Sequence, residues 1–313
     1  MLGLMAGAGI APTPLAALRP ARAPEGGHGQ ESERQFCARI GRLAVRSLYA
    51  ELSLYPKPGL VSLLDNGSHD DMTASTFMRS MFALRHYFVR VTLAGMHGAP
   101  FSRLAALGVE AEQRMLRATG GINTHRGAIF GLGLLCAALG ACHAGAAARK
   151  GAMTPLDIRT ALIARWGAAL AAHARPDAAD THGTQVTERY RVGGARQEAA
   201  LGMPAVFELA LAALRGALDA GRGLRRARVD TLFALMAHIS DTTVYHRGGE
   251  EGALILRRHA LAFVDAGGTA APGWEARAER CHRIFVAHRL SPGGAADLLA
   301  AACLVDAATG GTL

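Results

Sequence analysis

Polar residues in this chain of 313 residues collect in a few short stretches that separate long apolar segments. Most of these stretches contain a Gly pair or a Pro-Gly step, and several combine Arg, Lys or His with Asp or Glu. Turn formation alone does not explain that repeated composition, which favours a polyphosphate site with a divalent metal. The stretches are residues 56–72, 119–127, 181–183 with 190–199, 241–250 and 291–299.

The first stretch offers one lysine and two adjacent carboxylates. Lys57 lies between two prolines that fix the backbone path, and a lysine ammonium holds phosphate as a point charge. Asp70 and Asp71 suit Mg²⁺, which prefers one or two carboxylates together with phosphate oxygens and water. Alternatively, both aspartates only favour the start of the helix expected at Thr73, because acidic residues are stabilised near a helix N-terminus.

The second stretch, Thr119–Gly127, leads directly into the most apolar segment of the chain. A helix N-terminus exposes unpaired backbone N–H groups and a partial positive charge, and it therefore attracts anions. His125 and Arg126 in the first turn would complete a phosphate cradle. The alternative is an ordinary Gly-rich turn followed by a helix N-cap.

Other recognised motifs do not occur in the sequence. Neither GxxxxGK[ST] nor GxGxxG is present, so a phosphate site here is neither a P-loop nor a Rossmann turn. HExxH and GxSxG are also missing. The other histidines are interpreted as surface or core residues; they are His28, His97, His143, His173, His259, His282 and His288.

Composition predicts the scaffold that positions these stretches. Half of the residues are hydrophobic but only 5% are aromatic, and Ala, Leu, Arg and Gly dominate. Ala, Leu and Arg favour helices, whereas the β-branched and aromatic clusters typical of strands are scarce. We therefore predict an all-α fold, a single compact domain of roughly ten helices with Gly-rich functional loops.

Apolar residues at three- and four-residue steps predict where the helices lie. The predicted helices cover about residues 36–55, 73–91, 104–117, 126–147, 155–173, 198–218, 229–240, 252–264, 274–288 and 294–306. The segment 126–147 is long enough to cross a membrane, but its Gly and Ala content and His143 favour a buried core helix. Residues 1–34 are interpreted as a mobile leader, which leaves 35–313 as the helical catalytic domain.

Charge and cysteine content narrow the expected partners and compartment. The net charge of +9 favours anionic partners, and phosphorylated small molecules are preferred over nucleic acid because no long basic run contains aromatic residues. The five cysteines are scattered, with no CxxC pair. That pattern fits reduced thiols in the cytoplasm.

These stretches, in this order, resemble the triphosphoribosyl-dephospho-CoA synthase family. The resemblance extends from about residue 36 to 308, and its most specific parts are the PKPGLV and NTHRG segments. Gln197, Met203 and Thr243 depart from the commoner Gly, Phe and Asn. The matching segments are residues 56–61, 67–72, 112, 119–127, 181–183, 193–196, 241–243, 247–249 and 291–294.

The resemblance implies a pentosyltransferase reaction in which ATP and 3′-dephospho-CoA give 2′-(5″-triphosphoribosyl)-3′-dephospho-CoA and adenine. The product would pass to a transferase acting on the acyl-carrier subunit of malonate decarboxylase or citrate lyase. The His246-Arg247 pair favours the malonate decarboxylase branch. Mg²⁺ is the expected cofactor, with ATP as co-substrate.

The same resemblance suggests roles for individual residues. Asp70 and Asp71 would be metal ligands, and Asp241 a further ligand or the base that accepts the hydroxyl proton. Glu112 is the other candidate base. The substrate-binding and phosphate-binding residues would be Lys57, His69, Asn123, Thr124, His125, Arg126, Arg196 and Arg247.

Three other classes of protein compete with this interpretation. A basic helical nucleic-acid-binding module would explain the charge, but would have no need of the acidic loop residues. A membrane-associated helical protein would use residues 127–147. An ADP-ribosyl hydrolase-like helical enzyme would also place aspartates and Mg²⁺ at a ribosyl C1. We expect neither nucleic acid nor a membrane as partner.

Overall fold

The computed structural model describes residues 31–145, 151–174 and 194–313. Within these ranges there are eleven α-helices, one π-helical and one 3₁₀ segment, and no strand. Residues Glu33–Leu313 form one compact unit. The prediction of an all-α domain of roughly ten helices is confirmed. Residues 1–30 of the predicted leader and the loop residues 181–183 and 190–193 lie outside the described ranges, and the proposed domain division stays a prediction.

The helices are numbered here in chain order, and a π-helical segment, Ala205–Ala210, continues directly into the seventh. They are α1 Glu33–Leu52, α2 Ala74–Met96, α3 Phe101–Thr119, α4 Arg126–Ala144, α5 Pro155–His173, α6 Ala195–Ala200, α7 Leu211–Asp219, α8 Gly223–His238, α9 Thr242–Asp265, α10 Trp274–Ala287 and α11 Gly293–Ala308.

Helix α4 is the centre of the core and packs against α1, α2, α3, α5 and α11. Its backbone lies very close to that of α2, because a Cβ atom on Gly140 would be 2.1 Å from the carbonyl oxygen of Thr92, and one on Gly95 2.1 Å from that of Ala137. Glycines at these positions allow the two helices to touch. In the described chain α4 alone is long and apolar enough to span a membrane, and 72% of that window is buried inside the protein. The prediction of a core helix is confirmed.

Local sequence signals set several helix starts. Thr73 caps α2 and forms a capping box with Thr76, and Thr154 does the same for α5 with Asp157. Each cap satisfies backbone N–H groups that have no partner within the helix. Pro155 occupies the first turn of α5, where its missing N–H costs nothing.

Two predicted helix boundaries are wrong in ways that matter for the site. The single helix expected at 198–218 is broken after α6 by Gly202, Met203 and Pro204, where Gly202 and Met203 adopt positive φ and proline lacks the N–H. The stretch 241–250, expected as a loop, instead begins α9. Gly249 interrupts that helix with φ 62° and ψ −158°, a conformation that glycine tolerates.

Candidate active site

The α11 start, meaning the first turns of α11 and the residues that lead into it (289–297), is where most of the predicted stretches meet. On one side it lies against the first stretch: Ser68 Oγ donates to the carbonyl oxygen of Leu290 at 2.6 Å. A Cβ atom on Gly59 would be 2.3 Å from that same oxygen, so the first stretch can pack here only with glycine. The α11 start therefore fixes the loop that carries His69 and the two aspartates.

His69 connects this loop to the α11 start. Its Nε2 is 2.8 Å from Ser291 Oγ, and its Nδ1 is 3.8 Å from a carboxylate oxygen of Asp71. Burial and then the charge of Arg247 lower the pKa of His69, while Asp71 and Asp70 act in the opposite direction. The ring is therefore suited to act as a neutral hydrogen-bonding group between the two loops.

Arg247, which belongs to α9, also contacts the α11 start. Its Nε donates to the carbonyl oxygen of Arg289 at 2.8 Å, and its Nη2 donates to that of Ser68. The guanidinium of Arg247, in the fourth stretch, thus connects the first stretch to the residues that lead into α11. Its positive charge lies beside His69, at the position where an anionic substrate would meet the loop.

The three predicted metal ligands are not brought together. Asp70 and Asp71 are exposed, next to each other before α2. Across the described ranges, no group of three or more His, Cys, Asp or Glu side chains is arranged to hold a metal ion. Two exposed carboxylates still fit a magnesium ion that takes its other ligands from substrate phosphate and water, so the assignment of Asp70 and Asp71 stays a prediction.

Asp241 has a different environment from the other two aspartates. Its side chain caps α9 by accepting from Thr243 N at 2.9 Å, and it also accepts from Ala295 N at the start of α11 at 3.0 Å. Backbone N–H groups of Val244 and Gly294 add to these contacts. Burial raises the pKa of Asp241, and the four N–H groups oppose that shift. Its oxygens are occupied by two helix starts, which does not favour the predicted role as metal ligand or base.

The start of α4, which carries the NTHRG segment, is partly satisfied by the protein itself. Asn123 Oδ1 accepts from Arg126 N at 3.2 Å, and Ala128 N donates to the carboxylate of Asp297 on α11. The Arg126 side chain donates to Glu112 at 2.7 Å, and both side chains are partly exposed. The predicted anion cradle is therefore less open than expected, and the candidate base Glu112 already has a cationic partner.

His125 and Thr124 lie at this same helix start, where His125 is buried and Thr124 is partly exposed. His125 is 2% exposed, its Nδ1 is 2.6 Å from Ser80 Oγ on α2, and its ring lies edge-on to that of Phe77. Burial, followed by the charge of Lys57, lowers the pKa of His125 to about 3. His125 Nε2 and Thr124 Oγ1 have no hydrogen-bond partner within the described residues. His125 is thus held as a neutral group whose Nε2 is available to a ligand, and its predicted role in substrate binding stays a prediction.

The state of His125 predicts a specific dependence of stability on pH. Because the folded protein holds this ring neutral while the unfolded chain titrates near 6.5, its contribution is complete above pH 6.5 and is lost as the pH falls towards 3. Between pH 6.5 and 5 the loss should reach about 2 kcal/mol. Denaturant unfolding of the wild type and of His125→Gln over this range should show a flatter profile for the variant. The exposed His86, replaced in the same way, is the control, and equal slopes for wild type and His125→Gln would contradict the assignment.

Lys57 does not face an open phosphate site. Its Nζ is 2.6 Å from Glu51 Oε1 and 3.0 Å from the carbonyl oxygen of Glu51, near the C-terminus of α1, and the lysine is 1% exposed. Burial lowers the pKa of Lys57, and the Glu51 carboxylate opposes that shift. An ammonium in this position stabilises the helix C-terminus and a buried carboxylate. The predicted phosphate role of Lys57 is not supported by this geometry.

Other residues at the site had been missed or lie apart from it. Arg196 lies near His173 at the end of α5. Glu51 was not selected from sequence, and Ser291 and Asp297 belong to the fifth stretch but were given no individual role. His282 was interpreted as a surface or core residue; its Nδ1 accepts from Gly59 N at 3.4 Å, and its Nε2 is 3.4 Å from Asp65. The spacing of these residues along the chain carries no signal of their proximity.

Comparison with known proteins identifies the family. Residues 37–312 match the profile described as CitG: ATP:dephospho-CoA triphosphoribosyl transferase. A protein of Acinetobacter calcoaceticus named "Probable 2-(5''-triphosphoribosyl)-3'-dephosphocoenzyme-A synthase" is 36% identical, over 85% of this chain and 89% of its own length. Proteins with the same name from Stutzerimonas stutzeri and Pseudomonas fluorescens are 39% and 40% identical, over 87% and 88% of this chain and 92% and 94% of theirs. No solved structure gives a significant match.

The matched region covers every stretch that the sequence singled out. It includes the four stretches that come together around the α11 start, which are residues 56–72, 119–127, 241–250 and 291–299. The resemblance seen in the sequence is therefore confirmed. The chain belongs to the ATP:dephospho-CoA triphosphoribosyl transferase family and is a pentosyltransferase.

Proposed function

We propose that this protein transfers the triphosphoribosyl group of ATP to the 2′-hydroxyl of 3′-dephospho-CoA and releases adenine. The observation that carries the proposal is the family match over residues 37–312, together with relatives named for that product. The hydroxyl oxygen attacks C1 of the ATP ribose, and the bond to adenine breaks through an oxocarbenium-like state. The triphosphate remains on the transferred group, so no phosphate bond is cleaved.

The charged groups of the site support a polyanionic substrate. Arg247 and Arg126 present guanidinium groups at the two ends of the α11 start, beside His69 and the α4 start respectively. Asp70 and Asp71 would hold Mg²⁺ with the substrate phosphates, and the ion would neutralise phosphate charge and orient the triphosphate. Asn123, Thr124 and the neutral His125 would line the opposite side. Arg196 would contact the longer of the two substrates, dephospho-CoA.

The product would serve as prosthetic-group precursor for the acyl-carrier subunit of malonate decarboxylase, transferred there by a second enzyme. The observation that favours this branch over citrate lyase is the His246-Arg247 pair in the fourth stretch. In this proposal the protein acts in the cytoplasm on two small-molecule substrates, ATP and dephospho-CoA.

Incubation of the purified protein with ATP, Mg²⁺ and dephospho-CoA tests the reaction. Mass spectrometry should detect adenine and the triphosphoribosyl adduct in equal amounts, with none when dephospho-CoA is omitted. Addition of EDTA should abolish both products if Mg²⁺ is required. Replacing ATP and dephospho-CoA by an ADP-ribosylated substrate tests the hydrolase alternative, in which water would attack the ribosyl C1 and release free ADP-ribose.

Substitution of the three predicted aspartates tests the carboxylate assignments separately from the reaction. Asp70→Asn and Asp71→Asn should each raise the Mg²⁺ concentration needed for half-maximal adenine release. Asp241→Asn should act mainly on stability, because the side chain caps α9 and the α11 start. Near-normal turnover in all three variants would remove these residues from the active site and leave the family assignment intact.

A further inference from the structure

We propose that Asp297 on α11 is the base that accepts the proton of the attacking hydroxyl, an inference that rests on the proposed function. Neither sequence spacing nor the comparisons assign this residue a role. Asp297 lies in the first turns of α11 and contacts the start of α4.

Four other carboxylates around α11 and the α4 start are each paired with another group. Glu51 is 2.6 Å from Lys57 Nζ, Glu112 accepts from Arg126 at 2.7 Å, and Asp306 accepts from Arg215 at 2.8 Å. Asp241 accepts backbone N–H groups from two helix starts. These contacts occupy oxygens of the four carboxylates and leave fewer acceptor positions for a substrate hydroxyl.

Asp297 differs from these four. It accepts the N–H of Ala128, and in the described part of the chain it forms no ion pair with Lys, Arg or His. One carboxylate offers about four acceptor positions, so most of its capacity is unused. The residue is partly exposed, whereas Asp241 and Glu51 are each 5% exposed, so a substrate hydroxyl can reach it.

The carboxylate lies directly over the family's NTHRG segment. A Cβ atom on Gly127 would be 2.0 Å from Asp297 Oδ2, which means that the acid occupies the space a side chain would need. Two further polar atoms at this helix start, His125 Nε2 and Thr124 Oγ1, are buried and unpaired within the described ranges. Buried polar atoms without partners are uncommon, and here they mark a place where a ligand would supply the missing hydrogen bonds.

The electrostatic surroundings suit a general base. Burial, and then the negative charges of Glu51 and Asp241, raise the pKa of Asp297 well above its usual range. A carboxylate in such surroundings binds a proton more readily than an exposed one, which is the property required for removing a proton from a sugar hydroxyl. The Lys57 ammonium is hydrogen-bonded to Glu51 and offsets the negative charge of that carboxylate.

The proposed step conserves atoms and charge. The hydroxyl proton moves to the Asp297 carboxylate while the hydroxyl oxygen forms a bond to C1 of the ATP ribose. The electron pair of the C1–nitrogen bond leaves with adenine, and the proton returned by Asp297 through water protonates adenine. No oxidant, reductant or further co-reactant is consumed.

Asp297→Asn tests this role with little change in shape. The asparagine Oδ1 can still accept the N–H of Ala128, so the helix cap is retained while the base is removed. We expect kcat for adenine release to fall by a factor of about 10² to 10⁴, with KM for ATP and dephospho-CoA changed less than about threefold and an unchanged or higher Tm. Should the variant not fold, Asp297→Glu and Asp297→Gln form a second pair that differs only in charge, and the Glu protein should be at least tenfold more active.

Asp306→Asn is the matched control, because Asp306 is a buried carboxylate on the same helix whose partner is Arg215. It should lower Tm and leave kcat within about threefold of wild type. If the wild type releases adenine and Asp297→Asn is equally active, the inference about Asp297 is wrong while the proposed function stands. Equal activity of the Glu and Gln variants would have the same meaning. A wild type that releases no adenine would overturn the proposed function and the inference with it.

Discussion

Replacing Lys57 by Met should lower the free energy of unfolding by about 3 to 5 kcal/mol, because the Glu51 carboxylate would be left buried without its counter-charge. The two side chains are 1% and 6% exposed, and 2.6 Å separates Nζ from the carboxylate oxygen. The methionine side chain fills a similar volume, so loss of packing contributes little. Denaturant unfolding monitored by circular dichroism measures the effect.

A double variant separates the charge effect from the loss of lysine. Glu51→Leu combined with Lys57→Met removes both charges and should recover at least half of the lost stability, since buried ion pairs are often replaceable by apolar pairs. The result would be contradicted by a single Lys57→Met protein that keeps its stability within about 1 kcal/mol and instead shows a KM for ATP more than tenfold higher. That outcome would return Lys57 to the phosphate role expected from its place between two prolines.

The sequence predicted helix starts well wherever the signal is local. Thr73 and Pro155 act through hydrogen bonds and φ restrictions within one helical turn, and both boundaries are confirmed. The core position of α4 also follows from its composition, because a helix with apolar residues on all sides must be buried. These features depend only on residues that are close together in the chain, so the sequence is sufficient to predict them.

Breaks and continuations within helices were not predictable in the same way. The apolar period across residues 198–218 continues through Gly202 and Pro204, although the backbone turns there. The Gly248-Gly249 pair indicated a loop, yet α9 begins at Thr242 and deviates only at Gly249. Whether a glycine ends a helix or only bends it depends on what packs beside it, and for Gly248 the nearby group is Leu290.

At the candidate site, too, features that depend on neighbouring residues in the chain were predictable, whereas contacts between distant residues were not. Glycine-rich stretches that are far apart in the sequence meet in the fold, since the first and second stretches both lie against the α11 start. The partner of each charged side chain was not predictable, because Glu51 resembles any polar residue near a helix end. Lys57 and His125 were predicted to bind phosphate, but in the fold Lys57 is paired with Glu51, and burial keeps His125 neutral.

Replacing Gly127 by Ala should reduce adenine release by a factor of about 10 to 100, because a misplacement of about 1 Å at a catalytic group costs on that order. The new Cβ atom would be 2.0 Å from Asp297 Oδ2 and 3.1 Å from its Cγ, so the carboxylate must rotate away from Ala128 N. Steady-state kinetics should show the loss in kcat. Stability should change little, because alanine's higher helix propensity offsets part of the strain.

Gly131→Ala is the matched control on the next turn of α4. A Cβ atom there would be 3.7 Å from Met203 Cε, which is ordinary van der Waals contact. This variant should keep wild-type kcat and gain up to about 1 kcal/mol of stability from the better helix former. If Gly127→Ala retained full kcat while Gly131→Ala behaved as expected, the position of the Asp297 carboxylate would not matter for turnover. The glycine of the NTHRG segment would then serve helix packing alone.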